Sequence, residues 1–213
     1  MKKTIKKNIA GLMLIAGFVL VVSSCSKQQN TGNGYQGNAN VSTSLLDGNA
    51  VVFPSLCTGT IPDILNVPEG NRLALQTFAK GLQIYEVQRS AADPTRFTWV
   101  NIAPLATLYL NANFTNEVIH HFAGPTWEFL KGTEKGEKVV AKKVQGITQD
   151  TTAIQWLLLK ADSTLSTPGN KVTFVQRICT AGGLAPAIVP DEAHLGLLDS
   201  IPYTASYLFY VKK

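Results

Sequence analysis

The chain lacks the short motifs that identify the common enzyme classes. It has no Gly-x-Ser-x-Gly elbow, no His-Glu-x-x-His, no Cys-x-x-Cys and no phosphate-binding loop. Nothing in it predicts a cofactor. Catalytic groups that converge from distant positions leave no such motif, so the absence disfavours an enzyme without excluding one.

The start of the chain has no acidic residues, and its apolar run is too short to cross a membrane as a helix. Four lysines precede the run from Ile9 to Val22, which falls below the roughly 20 residues that a membrane-spanning helix needs. Small residues and then Cys25 follow. This order resembles a bacterial lipoprotein signal peptide. It implies a signal peptide over residues 1–24 and a palmitate-type lipid on Cys25; an ordinary signal peptide or an uncleaved anchor is the alternative.

Removal of the signal peptide changes the net charge of the chain, and lipidation of Cys25 changes the number of cysteines that could form a disulfide. The net charge of +5 falls to +1 once the four lysines are removed, so we expect no nucleic-acid partner. The chain has only three cysteines. With Cys25 lipidated, Cys57 and Cys179 are left as a candidate disulfide in an oxidising compartment, or as two separate thiols.

Apolar residues are also scarce over residues 25–44, which are rich in Asn, Gln, Gly and Ser. Such a segment buries too little surface to offset the entropy of ordering it, so we predict a lipidated flexible tether. Residues 45–213 have the composition of one globular domain. Ser26 after the lipidated cysteine resembles lipoproteins of the outer membrane. We therefore expect a lipid-anchored protein of the bacterial cell envelope, on a side of the membrane that the sequence leaves open.

Sustained helical periodicity is absent from the domain, whereas strand-length segments recur between turn residues. Ten strands are predicted, at residues 72–79, 82–88, 97–102, 106–110, 117–122, 126–129, 138–144, 154–161, 171–179 and 203–211. Lys80-Gly81 is interpreted as a hairpin turn, and Pro104 as a strand end or as a residue at a sheet edge. The spacing predicts an all-β domain, a single antiparallel β-sandwich or a barrel-like sheet.

A series of motifs in fixed order identifies a resemblance to a known family. The motifs lie at residues 81–85, 99–106, 121–128, 154–158, 175–178, 180–186 and 202–210. Together they resemble the uncharacterised family catalogued as domain of unknown function 3455. The resemblance implies a secreted or envelope β-rich domain without an established activity.

The stretch 121–129 has the highest concentration of residues that could take part in chemistry. Within it, His121 and Glu128 are the candidate catalytic pair. They flank Gly124-Pro125, and a turn there could bring them together for general acid–base chemistry. A structural histidine that fixes the turn is the alternative. His120 and His121 are adjacent, so in a strand they face opposite sides and cannot bind one ion. We predict no metal site.

Aromatic and basic residues supply the candidate ligand contacts, which are Trp127, Trp99 and Arg177. Trp156 has apolar neighbours and is expected in the core. Arg177 lies in an apolar strand, where it is expected to pair with Glu128 or another acid. The lysine-rich stretch 131–143 also carries acids and predicts a solvated hairpin.

These features favour a lipid-anchored β-domain of unknown activity that binds a small ligand or an envelope partner. Its other partner is the membrane, through the N-terminal lipid. Two alternatives remain open. One is an envelope hydrolase that uses His121 and Glu128, and the other is a purely structural envelope component.

Overall fold

A computed structural model describes Leu45, Leu46 and residues 60–213. These residues all fall within one compact unit, Asn40–Lys213. The predictions for the signal peptide, the tether, Cys25 and Cys57 lie outside the described residues.

The described chain forms eight antiparallel strands in a single closed sheet. The strands are β1 (Asn71–Arg89), β2 (Phe97–Tyr109), β3 (Glu117–Phe122), β4 (Thr126–Phe129), β5 (Lys138–Ile147), β6 (Trp156–Ala161), β7 (Val172–Gly182) and β8 (Leu198–Lys212). Each strand pairs with the next, and β1 also pairs with β8, which closes the ring. The prediction of an all-β, barrel-like domain is confirmed. The barrel is irregular, because β1 has 19 residues and β4 has four.

Two predicted strand breaks are wrong, and their correction reduces ten strands to eight. Lys80 and Gly81 lie inside β1, where Gly81 faces Ala106 of β2. A Cβ on Gly81 would come within 2.4 Å of the Ala106 Cβ, so glycine is needed here for close approach and not for a turn. Pro104 lies inside β2. Strand β3 pairs with β2 only from Ala106 onward, so Pro104 has a partner strand on one side. The alternative of an edge position is therefore confirmed, and only the strand end is wrong.

Strand β6 is apolar on both faces because both faces are covered. Leu157 and Leu159 pack with the interior of the barrel. Trp156 and Leu158 lie on the outer face in a second cluster, under the segment that contains the short 3-10 helix Asp63–Leu65. The expectation that Trp156 belongs to a core is confirmed, and that core lies outside the barrel wall.

A buried glutamine fastens this covering segment to the barrel. Gln176 of β7 is 1% exposed and donates to the Leu65 carbonyl at 2.7 Å. Its side-chain oxygen accepts from the Tyr210 hydroxyl at 2.6 Å. Burial raises the pKa of Tyr210 to about 12, so this hydroxyl keeps its proton at neutral pH.

The two ends of the barrel differ. At one end the interior is packed with large apolar side chains such as Phe129, Phe209 and Val139. Leu45 lies at this end, because its backbone N–H donates to Glu134 in the β4–β5 loop at 2.9 Å. The other end carries the β1–β2, β3–β4, β5–β6 and β7–β8 connections and is open. No helix in the described part of the chain is long and apolar enough to cross a membrane.

Candidate functional site

The open end of the barrel contains a cavity of about 650 Å³, which we call the mouth. All eight strands or their connections contribute to its lining. The lining residues are Gln83, Tyr85, Asn101, Ile102, Pro104, His121, Gly124, Pro125, Trp127, Lys143, Ile154, Gln155, Leu157, Leu159, Arg177, Leu184 and Tyr207. The cavity is mostly apolar with a few polar groups, and its volume is in the range of small-molecule sites.

The floor of the mouth is an aromatic cluster built on β3, β4 and β8. His121 stacks on Trp127, with ring centroids 4.4 Å apart and ring planes 2° from parallel. Tyr207 meets both rings edge-on, at 5.3 Å from His121 and 5.7 Å from Trp127. All three are at most 2% exposed. The floor is therefore rigid and preformed.

His121 is held as a neutral imidazole. Its Nδ1 donates to the Thr126 carbonyl at 2.8 Å, which leaves Nε2 as a hydrogen-bond acceptor. The pKa of His121 is lowered to about 3, mainly by burial. The bond to Thr126 opposes this shift, and the charge of Arg177 adds to it. His121 therefore carries no charge at neutral pH.

Two buried donors at the mouth lack standard hydrogen bonds. Trp127 Nε1 has no acceptor, although the residue is 1% exposed. Gln83 accepts from Asn101 at 2.9 Å, and its own Nε2 has no bond of standard geometry. Gln83 is still close enough to Tyr203 to lower the pKa of that hydroxyl, which burial raises well above its ordinary value. Buried donors normally have partners, so these two N–H groups could donate to a water or to a ligand oxygen.

The rim carries two cations that share one anchoring residue. Arg177 donates through Nε and Nη2 to the Gln155 carbonyl, at 3.1 and 3.0 Å. Lys143 donates to the side-chain oxygen of Gln155 at 3.0 Å. Within the described residues neither cation forms an ion pair with a carboxylate. The expected pairing of Arg177 with Glu128 or another acid is wrong, because a backbone carbonyl takes that place.

The strand register does not bring His121 and Glu128 together. His121 lies opposite Trp127, whereas Glu128 lies opposite His120. Directly opposed residues share a face, so Glu128 is on the outer face of the barrel, where Lys138 is 3.7 Å away. His120 is also outside and contacts Glu117 at 2.7 Å. A general acid–base pair is therefore not assembled here.

The ligand-contact candidates divide between the mouth and its support. Trp127 and Arg177 both line the cavity. Trp99 does not; its indole Nε1 donates to the Ile188 carbonyl at 3.0 Å. This bond ties β2 to the β7–β8 loop, whose Leu184 lines the mouth. Trp99 thus positions part of the rim.

Cys179 is disulfide-bonded, and its partner lies outside the described residues. It sits in β7 at a register irregularity, with a positive φ of 53°. Pairing with Cys57 stays a prediction. Among the residues that the structure describes, no group of three His, Cys, Asp or Glu side chains could hold a metal ion.

The Gly182-Gly183 motif shapes the exit from β7 beside the mouth. Both residues have positive φ, 68° and 80°. A Cβ on Gly183 would come within 2.9 Å of the Tyr203 Cβ. The Gly183 carbonyl accepts from the Tyr85 hydroxyl at 2.7 Å. Small residues are therefore needed here for backbone conformation and for close packing.

Lys143 and Gln155 are the main site residues that the sequence interpretation missed. Lys143 lies in a lysine-rich stretch, which hid it among solvated charges. The alternation of β5 contains the missing signal, because Val139 and Ala141 are buried and Lys143 continues their face. Gln155 lies in a loop, where no periodicity indicates its direction.

A comparison with protein families decides the classification. A family model described as protein of unknown function, DUF3455, matches residues 68–211. The chain belongs to this family. The predicted resemblance is thereby confirmed, and the match covers β1 to β7 in full and β8 except for its last residue. No curated protein and no solved structure is significantly similar to the chain.

Proposed function

We propose that this protein is a lipid-anchored cell-envelope protein whose DUF3455 barrel binds a small, largely apolar molecule in its mouth. The observation that supports binding most strongly is the cavity of about 650 Å³ above a preformed aromatic floor. Sites of this size and composition bury most of a small ligand's surface.

Two further features support a ligand in the mouth. The Trp127 Nε1–H is buried at the cavity without an acceptor, and a ligand oxygen would satisfy it. Ile102 and Leu184 are each 42% exposed where they line the cavity. Apolar rim residues of this kind gain buried area when a ligand enters.

The anchoring part of the proposal rests on Cys25 and on the sequence that precedes it. Leu45, the first residue after the tether, bonds to Glu134 at the end of the barrel away from the mouth. An anchor that enters there leaves the mouth accessible. The outer membrane is the expected location, because Ser26 and not aspartate follows the cysteine.

The binding proposal is tested with N-phenyl-1-naphthylamine, a neutral probe whose fluorescence rises in apolar surroundings. Titration of the protein should give a saturable signal with one site per chain. Ile102→Trp should weaken binding at least fivefold, because it narrows the mouth. Leu105→Trp is the matched control, since Leu105 is an exposed residue of the same strand that does not line the cavity. No saturable binding, or equal loss in both variants, contradicts the proposal.

The anchoring proposal is tested by labelling cells with radioactive palmitate. The wild-type protein should carry the label and sediment with the outer membrane. Cys25→Ser should abolish the label and release the protein from the membrane fraction. Cys57→Ser should leave the label unchanged. Label that persists in Cys25→Ser contradicts lipidation at this residue.

A further inference from the structure

We propose that the natural ligand is an organic acid with an apolar body, whose acidic group binds between Arg177 and Lys143 at the rim. This inference deepens, and rests on, the proposed binding of a small molecule in the mouth. Such a ligand has one anionic group, a carboxylate or a sulfonate, at the end of an apolar body.

The charges that line the mouth are all of one sign. Among the residues that the structure describes, only Arg177 and Lys143 bring charge to the mouth at neutral pH, because His121 is neutral and no described carboxylate lines the cavity. A half-buried guanidinium is normally compensated by an acid, and here none of the described residues supplies one. A bound anion would supply the missing charge.

Both cations are oriented before any ligand arrives. The bonds from Arg177 and Lys143 to Gln155 hold the two groups beside each other. Arg177 uses Nε and Nη2 in this way and keeps Nη1 without a partner in the described part of the protein. The Lys143 ammonium has further hydrogens to donate. Charged donors that are fixed and incompletely used favour an acidic group.

The field of Arg177 extends into the cavity. Its charge lowers the pKa of His121, Tyr85 and Tyr203, in each case as a smaller effect than burial. Tyr85 and His121 line the mouth, and the Tyr203 hydroxyl lies 3.4 Å from the hydroxyl of Tyr207 in the floor. A positive potential therefore covers the space that the ligand would occupy, and apolar walls reduce its screening by water.

Two cations outside the mouth contrast with Lys143, because each of them has a carboxylate partner. Lys142 bonds to Asp162 at 2.7 Å on the outer face. Arg89 bonds to Glu192 at 2.7 Å. Lys143 follows Lys142 directly and turns to the mouth, where it has an amide and no acid. Among the described residues, the mouth therefore combines two cations with no carboxylate.

The test compares two probes that share one aromatic frame. N-phenyl-1-naphthylamine is neutral, and 8-anilinonaphthalene-1-sulfonate carries a sulfonate on the same frame. The wild-type protein should bind the anionic probe at least fivefold more tightly than the neutral one. This preference should shrink as salt is raised, because salt screens charges at a partly exposed rim.

Matched variants assign the preference to the two cations. Arg177→Gln should lower the affinity for the anionic probe about tenfold and change the affinity for the neutral probe less than twofold. Arg72→Gln, an exposed arginine on β1 outside the mouth, should change neither. Lys143→Gln should weaken only the anionic probe, whereas Lys142→Gln should not. Arg177→Lys should retain most of the binding, which guards against loss through misfolding; thermal melts verify that each variant folds.

The outcomes separate this inference from the function on which it rests. Binding of the neutral probe without preference for the anion, or equal loss of both probes in Arg177→Gln, overturns the acidic ligand and leaves the binding site in place. Failure of both probes to bind the wild-type protein overturns both proposals.

Discussion

The His121 imidazole lies parallel to the Trp127 indole, 4.4 Å away, on the inner wall of the barrel. Register fixes this contact, because the two residues are directly opposed on β3 and β4. Stacking and the bond to Thr126 hold the ring in one orientation. Residues 121–128 therefore contribute His121 and Trp127 to the floor of the mouth, whereas Glu128 lies on the outer face.

Acid should destabilise the protein through His121. Its folded-state pKa is lowered to about 3 from an ordinary 6.5, so below pH 6.5 the unfolded chain takes up a proton that the folded chain refuses. This contribution to stability is complete above pH 6.5 and is lost as the pH falls towards 3. The loss is about 1.4 kcal/mol per pH unit, or roughly 2 kcal/mol between pH 7 and 5. Urea unfolding at the two pH values measures it.

Two variants isolate the His121 contribution from other titrating groups. His121→Gln should lower the free energy of unfolding at pH 7. It should also reduce the difference between the free energies of unfolding at pH 7 and pH 5 by roughly 2 kcal/mol. His120→Gln, at the exposed neighbouring position, should keep that difference. An unchanged pH dependence in His121→Gln contradicts a buried neutral imidazole.

Gly81→Ala should destabilise the barrel by roughly 1–3 kcal/mol through overpacking. The added Cβ would meet the Leu105 carbonyl oxygen at 2.3 Å and Ala106 Cα at 2.5 Å, and both are backbone atoms that cannot rotate away. Ala106→Gly should not rescue it, because those contacts persist. Denaturant unfolding of the single and double variants measures the effect; a neutral Gly81→Ala is the contrary result.

Gln176→Leu should release the segment that covers the outer cluster. It removes the bond to the Leu65 carbonyl and leaves the Tyr210 hydroxyl without its acceptor, at a cost of roughly 1–3 kcal/mol. Thermolysin should then cleave near Leu65 faster than in the wild type. Tyr210→Phe keeps the bond to Leu65 and should not accelerate that cleavage. Equal cleavage in all three proteins would show that Gln176 does not hold the segment.

Cys179 should be joined to Cys57 in the exported protein. Digestion without reductant should yield one linked peptide that contains both residues, and reduction should separate it. Loss of the bond should lower the melting temperature, because a disulfide restricts the unfolded chain. A linked peptide that contains Cys179 and a cysteine other than Cys57 contradicts the pairing.

The sequence predicts short alternating strands well and close backbone approaches poorly. Strands β3 and β4 have the predicted bounds, because Gly124-Pro125 separates them and alternation sets their faces. The sequence pattern indicates a turn at Gly81 and a strand end or an edge position at Pro104, since these are the usual roles of glycine and proline near strands. Their actual role depends on Ala106 and on the end of β3, which are distant partners that local patterns do not reveal.

The candidate site is predictable only in part, for a related reason. Trp127 and Arg177 stand out by type and reach the mouth. Lys143 and Gln155 become site residues only because closure of the ring brings β5, the β5–β6 loop and β7 together. The separation of Glu128 from His121 follows from the register between β3 and β4. That register depends on the geometry of the turn, which the sequence does not reveal.

The most direct measurement of the central claim uses the indole N–H signals of the three tryptophans in a ¹H–¹⁵N correlation spectrum, assigned with single Trp→Phe variants. Titration with N-phenyl-1-naphthylamine should shift the Trp127 signal saturably, because the Trp127 side chain lines the mouth and its buried N–H has no acceptor. The Trp156 signal, from the outer cluster, should stay in place. A Trp127 signal that does not move while Trp156 shifts would contradict a ligand site inside the barrel.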